Sequence, residues 1–193
     1  MLKIALTGSI ATGKSHVLNY FRELLIPVFN FDDEVAKLLK RNKEVVKLVD
    51  HAFPGVVENG LINRRKLSNL AFFKKEALSE LENILYPKLF EEYELFLKQS
   101  RLENAGIIIA EVPLLFEKQL EKQFDKIILT TCSESDRVDR ALKREGMTMK
   151  KLNAIVESQM ADSKKEKLVD FVISTSDKSA NVKDHVLKII KSL

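Results

Sequence analysis

The stretch GSIATGKS, from Gly8 to Ser15, constrains the fold of this chain more than any other feature. It follows the apolar run LKIAL and precedes KSHVLNYFRELL, whose apolar spacing predicts a helix. The pattern G-x-x-x-x-G-K-[ST] between a strand and a helix is typical of a loop that wraps around phosphates, named here the P-loop. Its two glycines let the backbone approach an anion closely, so that amide N–H groups and the helix N-terminus face it.

The pattern therefore predicts a nucleotide site with Mg²⁺. Lys14 would reach the β- and γ-phosphates of ATP, and the Ser15 hydroxyl would coordinate the metal. Glu111 ends the apolar run GIIIAE and is the candidate acid that holds the metal or its water. The predicted nucleotide-binding residues are Gly8, Ser9, Ile10, Ala11, Thr12, Gly13, Lys14, Ser15, His16, Arg140 and Arg144.

Five short apolar runs predict strands, and helical patterns separate them. This alternation favours an α/β fold with a parallel five-stranded sheet flanked by helices. We expect helix breaks at Pro54–Gly55 and near Pro87, and a turn at Gly146. The five runs are LKIALTG, IPVFNF, GIIIAEVPLLF, FDKIILTTC and VDFVISTS.

The class of P-loop protein is narrowed by motifs that the chain lacks. Neither N-K-x-D nor D-x-x-G occurs, which disfavours a GTPase. A kinase must exclude water during transfer, and an arginine-bearing lid over the phosphates does so. Arg137, Arg140 and Arg144 have spacings of three and four, which predicts one helix face that clamps phosphoryl oxygens.

Composition limits the possible partners and compartment less strictly than the motifs limit the fold. The 193 residues suit one domain, and the net charge of +4 suits an anionic small molecule as well as nucleic acid. One cysteine, Cys132, and the lack of a long apolar run favour a cytoplasmic protein without a membrane partner. We expect no nucleic-acid partner, because basic and aromatic residues do not interleave. A monomer or weak homo-oligomer is expected.

Further motifs give the chain a resemblance to the dephospho-CoA kinase family that covers essentially its whole length. The resemblance implies ATP-dependent phosphorylation of the ribose 3′-hydroxyl of dephospho-CoA to coenzyme A and ADP, the last step of coenzyme A biosynthesis. PLLFE and LENILYP separate this family from other small P-loop kinases. The matching stretches, in the family's order, are GSIATGKS, NFDD, NGLINRRKL, LENILYP, PLLFE, RVDRALKR and VDFVI.

The resemblance implies a P-loop kinase-like parallel five-stranded sheet flanked by helices, with a helical acceptor-binding lobe and a lid. The predicted bounds are about 1–32, 105–135 and 168–193 for the core, about 33–104 for the lobe and about 136–167 for the lid.

The resemblance also implies roles for individual residues. Lys14 and Arg140 would act on the transferring phosphoryl group. Asp32 would be the base that accepts the proton of the 3′-hydroxyl, or Asp33 if this chain carries a one-residue insertion. The residues implied to contact the acceptor are Asp32, Arg64, Tyr86, Pro113 and Leu114.

The chain departs from the family pattern at four places. Ala11 replaces a glycine of the loop, Tyr86 replaces a histidine, and Arg137 replaces the glutamine that opens the lid pattern. Asn30-Phe31-Asp32 replaces Asp-Ala-Asp. Tyr86 and the altered aspartate motif leave open a kinase of another small hydroxyl or nucleotide acceptor. Two further alternatives are a non-catalytic nucleotide-binding regulatory protein and, on the basic charge alone, a nucleic-acid-binding ATPase.

Overall fold

The computed structural model describes residues 1–72, 75–176 and 179–193, which form a five-stranded sheet, a two-stranded hairpin and nine α-helices. The five predicted strands are all present. In chain order the strands are β1 (Leu2–Thr7), β2 (Val28–Asn30), β3 (Val57–Glu58), β4 (Leu61–Ile62), β5 (Ile107–Glu111), β6 (Lys126–Thr131) and β7 (Phe171–Ser174).

The helices follow the apolar spacing of the sequence. They are α1 (Lys14–Glu23), α2 (Phe31–Arg41), α3 (Lys43–Ala52), α4 (Arg64–Phe72), α5 (Lys75–Leu102), α6 (Glu134–Leu142), α7 (Met149–Ser158), α8 (Asp162–Lys165) and α9 (Ser179–Ser192).

The main sheet has the strand order β2-β5-β1-β6-β7, and all four pairings are parallel. The predicted parallel sheet is therefore confirmed. β1 lies at the centre, with Leu6 opposite Glu111 of β5 and Thr7 opposite Leu129 of β6. Since parallel strands end at one edge of the sheet, the P-loop and Glu111 lie at the same edge, where open α/β sheets bind ligands.

The described residues divide into two compact units. The first comprises Met1–Asn30 and Ser100–Leu193, and the second comprises Phe31–Gln99. The first unit holds the main sheet, and apolar side chains of the sheet, α1 and α9 form its core. The fully buried members of that core are Ile4, Leu6, Val17, Leu18, Phe21, Ile109, Ile128, Ile173, Val182 and Val186.

The second unit contains a helix end that the sequence analysis did not place. The sequence predicts a helix break at Pro54–Gly55 and none before it, but α2 ends at Arg41 and α3 begins at Lys43. The Asn42 side chain accepts hydrogen bonds from the backbone N–H groups of Glu44 and Val45. An asparagine in this position satisfies the free donors of a new helix, so the chain restarts instead of continuing.

The predicted interruption near Pro87 is wrong, because α5 runs through it from Lys75 to Leu102. Leu85, Leu89, Tyr93 and Leu97 are buried at four-residue spacing, so one apolar stripe continues past the proline. Proline costs a helix interior about 3 kcal/mol. Each buried side chain of the stripe contributes about 1.5–3 kcal/mol, and the stripe outweighs that cost.

A short antiparallel hairpin, β3–β4, was not predicted. Its turn is Asn59-Gly60, and both residues have a positive φ, 51° and 77°. Asparagine followed by glycine is the preferred pair for such a two-residue turn. Within the ranges described, no helix is long and apolar enough to cross a bilayer.

Candidate active site

The P-loop joins the central strand β1 to α1. Gly13 stands immediately before α1 with φ 87°, and Gly8 has φ 151°. A Cβ on Gly8 would lie 2.6 Å from the Thr130 carbonyl oxygen, and one on Gly13 would lie 2.9 Å from Thr175 Oγ1. Both positions therefore exclude any side chain, which explains why the pattern requires glycine there.

Ala11, the departure within the loop, also has a positive φ, 60°. This conformation costs a residue with a Cβ roughly 1 kcal/mol. Ala11 is buried in a cluster with Ala141 of α6 and Leu152 of α7. Its methyl group thus packs the loop against the two predicted lid helices, a contact that glycine would not make.

Lys14 opens α1, and its ammonium group lies inside the loop. Nζ donates to the Gly8 carbonyl at 2.8 Å and to the Ser9 carbonyl at 3.2 Å. Ser15 and His16 follow in the exposed first turn, and the His16 ring stacks edge-on against Tyr20 at 4.9 Å. The lysine charge therefore lies inside the loop, held by two of the loop's own carbonyl groups.

Threonine hydroxyls support the underside of the loop. Thr12 Oγ1 donates to the Ser9 carbonyl at 2.9 Å and lies 2.9 Å from Thr130 Oγ1. Thr175 Oγ1 donates to the Thr12 carbonyl at 2.7 Å. All three threonines are buried, so these bonds hold the loop without competition from water.

Glu111 ends β5 and is buried next to the loop-bearing strand. Asn30, the last residue of β2, lies opposite it in register, and its Nδ2 donates to Glu111 Oε2 at 2.7 Å. The described residues contain no group of three or more His, Cys, Asp or Glu able to hold a metal.

Arg140 lies on α6 and reaches the end of β7. Nη1 donates to Thr175 Oγ1 at 2.8 Å, and Nη2 donates to the Thr175 carbonyl at 2.7 Å. Thr175 also donates to the Thr12 carbonyl and lies against Gly13. Thr175 therefore links the Arg140 guanidinium group to the P-loop.

The predicted arginine stripe is only partly a helix face. Arg137 and Arg140 lie on α6, but α6 ends at Leu142 and Arg144 is exposed in the following turn. Gly146, with φ 70°, lies in the turn that follows the helix. Arg137 binds the Asp162 carboxylate. The prediction that all three arginines share one helix face is therefore wrong.

The acidic candidates Asp32 and Asp33 occupy the first turn of α2, and both are exposed. β2 ends at Asn30 and α2 begins at Phe31, so no loop residue separates the strand from the helix. Phe31 is buried within the second unit, 5.4 Å from the Tyr93 ring. This anchor fixes the start of α2 and hence the turn that carries both carboxylates.

Two acceptor candidates also lie in the second unit. Arg64 begins α4 and is exposed, whereas Tyr86 is half-buried on α5 with its ring 6.1 Å from that of Phe90. Burial, followed by the nearby Glu82 carboxylate, raises the pKa of Tyr86 to about 12. The Tyr86 hydroxyl is therefore a neutral donor at physiological pH, where the family's histidine would titrate.

Pro113 and Leu114 follow β5 in a series of turns, and Leu114 is exposed. Glu117, which closes the PLLFE stretch, accepts a hydrogen bond from the Met160 backbone N–H at 2.8 Å. It also lies 2.9 Å from the Nζ of Lys165, whose side chain is fully buried. The second contact is a charge pair and not an aligned hydrogen bond. Glu117 thus ties the segment after β5 to the segment after α7.

Comparison with known proteins identifies the family of this chain. The sequence profile of the dephospho-CoA kinase family matches residues 2–181. The chain belongs to the dephospho-CoA kinase family. A dephospho-CoA kinase of Bartonella quintana is 40% identical over 190 residues, which cover 98% of this chain and 97% of that one. That of Rhizobium meliloti is 37% identical over 193 residues, 100% of this chain and 98% of that one.

Solved structures agree with the family. A Thermus thermophilus protein superimposes with a TM-score of 0.86 at 31% identity, covering 99% of this chain and 96% of that one. The dephospho-CoA kinase of Campylobacter jejuni gives 0.71 at 25% identity, covering 98% and 96%. An Acinetobacter baumannii shikimate kinase shares the fold alone, with a TM-score of 0.52 at 15% identity, covering 100% and 92%. The predicted family, the predicted kinase class and the predicted P-loop kinase fold are confirmed.

Sequence reasoning missed several residues that shape this dephospho-CoA kinase family site. Thr130 and Thr175 support the loop from the ends of β6 and β7, and Gln159 and Asp162 contact it from the segment after α7. The sequence could have indicated the two threonines, because each is a hydroxyl residue at the end of a predicted strand. No local pattern marks Gln159 or Asp162, because their contacts arise only when the segment after α7 packs on the loop.

The buried pair of Glu117 and Lys165 leads to a stability prediction. Glu117→Gln should lower the free energy of unfolding by about 3 kcal/mol, because it leaves the Lys165 ammonium buried without its counter-charge. Glu23→Gln is the matched control, since Glu23 pairs with Lys183 at 3.4 Å on the exposed surface and should cost less than about 1 kcal/mol. Urea unfolding of both variants measures the difference. Equal losses would mean that the buried pair does not stabilise the fold.

Proposed function

We propose that this chain transfers the γ-phosphoryl group of ATP to the ribose 3′-hydroxyl of dephospho-CoA, releasing coenzyme A and ADP. The observation that carries the proposal is the P-loop of a dephospho-CoA kinase family member, with Lys14 inside it and the carboxylates Asp32 and Asp33 directly after β2. A phosphate cradle and a base are the two groups that transfer to an alcohol requires.

The chain's own residues supply electrostatic stabilisation. The loop amides and Lys14 bind the β- and γ-phosphates, where negative charge develops as the bond to the leaving oxygen breaks. Arg140 adds a second cation from α6. Its hydrogen bonds to Thr175 hold the guanidinium group in position before ATP arrives, so little reorganisation is needed.

Mg²⁺ would be held by the Ser15 hydroxyl and, directly or through water, by Glu111. The donor set fits a hard cation, because both groups offer oxygen and Glu111 is a buried carboxylate whose Oε2 is already oriented by Asn30. When bound, the ion would neutralise charge on the phosphate oxygens.

Asp32 is proposed as the base. Counting without a gap from the P-loop places it on the second aspartate of the family pattern, and the direct junction of β2 with α2 supports a count without an inserted residue. Its carboxylate accepts the proton of the 3′-hydroxyl while that oxygen attacks phosphorus in line with the leaving ADP oxygen.

The acceptor's charged part is proposed to bind beside Arg64. Within the second unit, the C-terminal half of α2, β4 and the start of α4 surround a pocket of about 460 Å³. It begins about 6 Å along α2 from Asp32, at the rise of a helix. Four cations next to apolar side chains suit an anionic acceptor with an aliphatic arm. The described lining residues are Ala36, Lys37, Leu39, Lys40, Arg41, Leu61, Ile62 and Arg64.

Replacing Arg64 tests this pocket. Arg64→Gln should raise the KM for dephospho-CoA by roughly tenfold, because a charge-assisted contact to phosphate is lost, and should leave the KM for ATP unchanged. Arg65→Gln is the matched control, since Arg65 is exposed on the same helix but does not line the pocket. Steady-state kinetics with each substrate varied in turn measures both values. An unchanged KM for dephospho-CoA in Arg64→Gln would exclude the pocket.

The reaction itself is tested by product analysis. Purified protein with Mg-ATP should form ADP and coenzyme A when dephospho-CoA is present, and should leave AMP, adenosine and shikimate unmodified. Phosphorylation of one of these rivals instead would favour the second candidate function, a kinase of another small acceptor. The observations that favour that candidate are Tyr86 and Asn30, which stand where the family pattern has histidine and aspartate. Cytoplasmic location and a monomeric or weakly associated state remain predictions.

A further inference from the structure

Asp162 contacts both the P-loop and the predicted lid. Ser9 Oγ of the loop donates to Asp162 Oδ1 at 2.5 Å, and the Arg137 guanidinium group of α6 donates to Asp162 Oδ2. The side chains of Asp162 and Arg137 are only 15% and 18% exposed. One carboxylate therefore bridges a loop hydroxyl and an arginine in a site that water reaches poorly.

The segment that carries Asp162 is fixed on two further sides. Gln159 Oε1 accepts the backbone N–H of Ile10 in the loop at 3.0 Å. Glu117 holds the Met160 backbone and pairs with buried Lys165, on either side of Asp162 in sequence. Asp162 is thus held against Ser9 by the fold around it, and its position does not depend on the Arg137 contact alone.

A carboxylate at this place is unexpected on electrostatic grounds. The P-loop binds a polyphosphate, and a bare negative charge beside it would repel that ligand, the more so where burial weakens screening. Arg137 supplies the opposite charge within hydrogen-bond distance of the same carboxylate. Arg137 is also the residue that replaces the glutamine of the family's lid pattern.

We infer that Arg137 is a positioning residue that neutralises Asp162, so that Asp162 can hold Ser9 and shape the P-loop without repelling ATP. The inference rests on the proposed function in one respect only: the P-loop must bind ATP. It assigns Arg137 no contact with the transferring phosphoryl group, unlike Arg140. The charges of Arg137 and Asp162 neutralise each other, so removing the arginine alone should weaken ATP binding.

The test is a double-mutant cycle read by ATP binding without acceptor, measured by calorimetry. Arg137→Gln should weaken ATP binding by roughly tenfold, the effect of one uncompensated, partly screened charge. Asp162→Asn, which keeps a hydrogen-bond acceptor for Ser9, should weaken it by less than about fivefold. The double variant should bind ATP as Asp162→Asn does, and added KCl should shrink the Arg137→Gln defect.

Controls separate this inference from the proposed function and from misfolding. Arg22→Gln removes an exposed arginine of α1 that bonds Asn19, and should bind ATP like the unmodified chain. Failure of the unmodified chain to bind ATP would overturn the proposed function. Equal defects in Arg137→Gln and the double variant would overturn the inference, because Arg137 would then act on ATP without Asp162. Should Arg137→Gln fail to fold, the double variant decides alone: affinity like that of Asp162→Asn supports compensation, and a lower affinity refutes it.

Discussion

Lys14→Ala is expected to lower kcat/KM by about a thousandfold with any acceptor, the upper range for loss of one preorganised donor to developing negative charge. The side chain also ties the loop together through the Gly8 and Ser9 carbonyls, so ADP binding should weaken as well. Coupled ADP release measures turnover, and calorimetric titration with ADP measures the ground-state part of the loss.

Lys188→Ala is the control for this change, because Lys188 is an exposed lysine of α9 in the same unit. It should retain full activity and the melting temperature of the unmodified chain. A Lys14→Ala enzyme with normal turnover would contradict the assignment of GSIATGKS as a functional phosphate cradle.

Asp32→Asn should reduce kcat by about 10²–10⁴-fold while leaving ATP affinity nearly unchanged. Asparagine keeps the size of the side chain but does not accept the proton of the attacking hydroxyl. The acidic limb of the kcat–pH profile, which reports ionisation of the base, should disappear with it. Turnover, ATP titration and the pH profile together separate loss of the base from loss of binding.

Asp33→Asn is the matched control for that experiment, since Asp33 occupies the adjacent position of the same exposed helical turn. It should retain most of kcat. The reverse result, an active Asp32→Asn and an inactive Asp33→Asn, would mean that the chain carries an inserted residue relative to the family pattern and that Asp33 is the base.

The main sheet could be predicted from the sequence because each strand is a short apolar run that is buried. β5, with Ile108, Ile109 and Ala110 fully buried, is the plainest case. Helix ends were harder, since they depend on competition between local rules and packing. At Pro87 the buried stripe of α5 overrides a helix breaker, whereas at Asn42 a single capping side chain ends one helix and starts another.

The sequence predicted only those residues of the candidate site whose position follows from neighbouring residues in the chain. The P-loop and Glu111 follow directly from strands and could be placed by counting. Arg144 could not be placed by counting. A spacing of three and four residues predicts a shared face only while the helix continues, and α6 ends before it reaches Arg144. The partners of Arg137 and Arg140 lie 25 and 35 residues further along the chain, and only tertiary packing brings them together.

The threonine hydroxyls that support the P-loop make its conformation depend on residues far from the motif in sequence. Thr130 and Thr175 lie 118 and 163 residues from Thr12, yet their side chains bond the loop and their volume forbids any residue but glycine at positions 8 and 13. A mutation at the end of β6 or β7 can therefore disable an intact GSIATGKS motif. When such chains are sorted into active kinases and inactive relatives, these two distant threonines should be read as part of the loop.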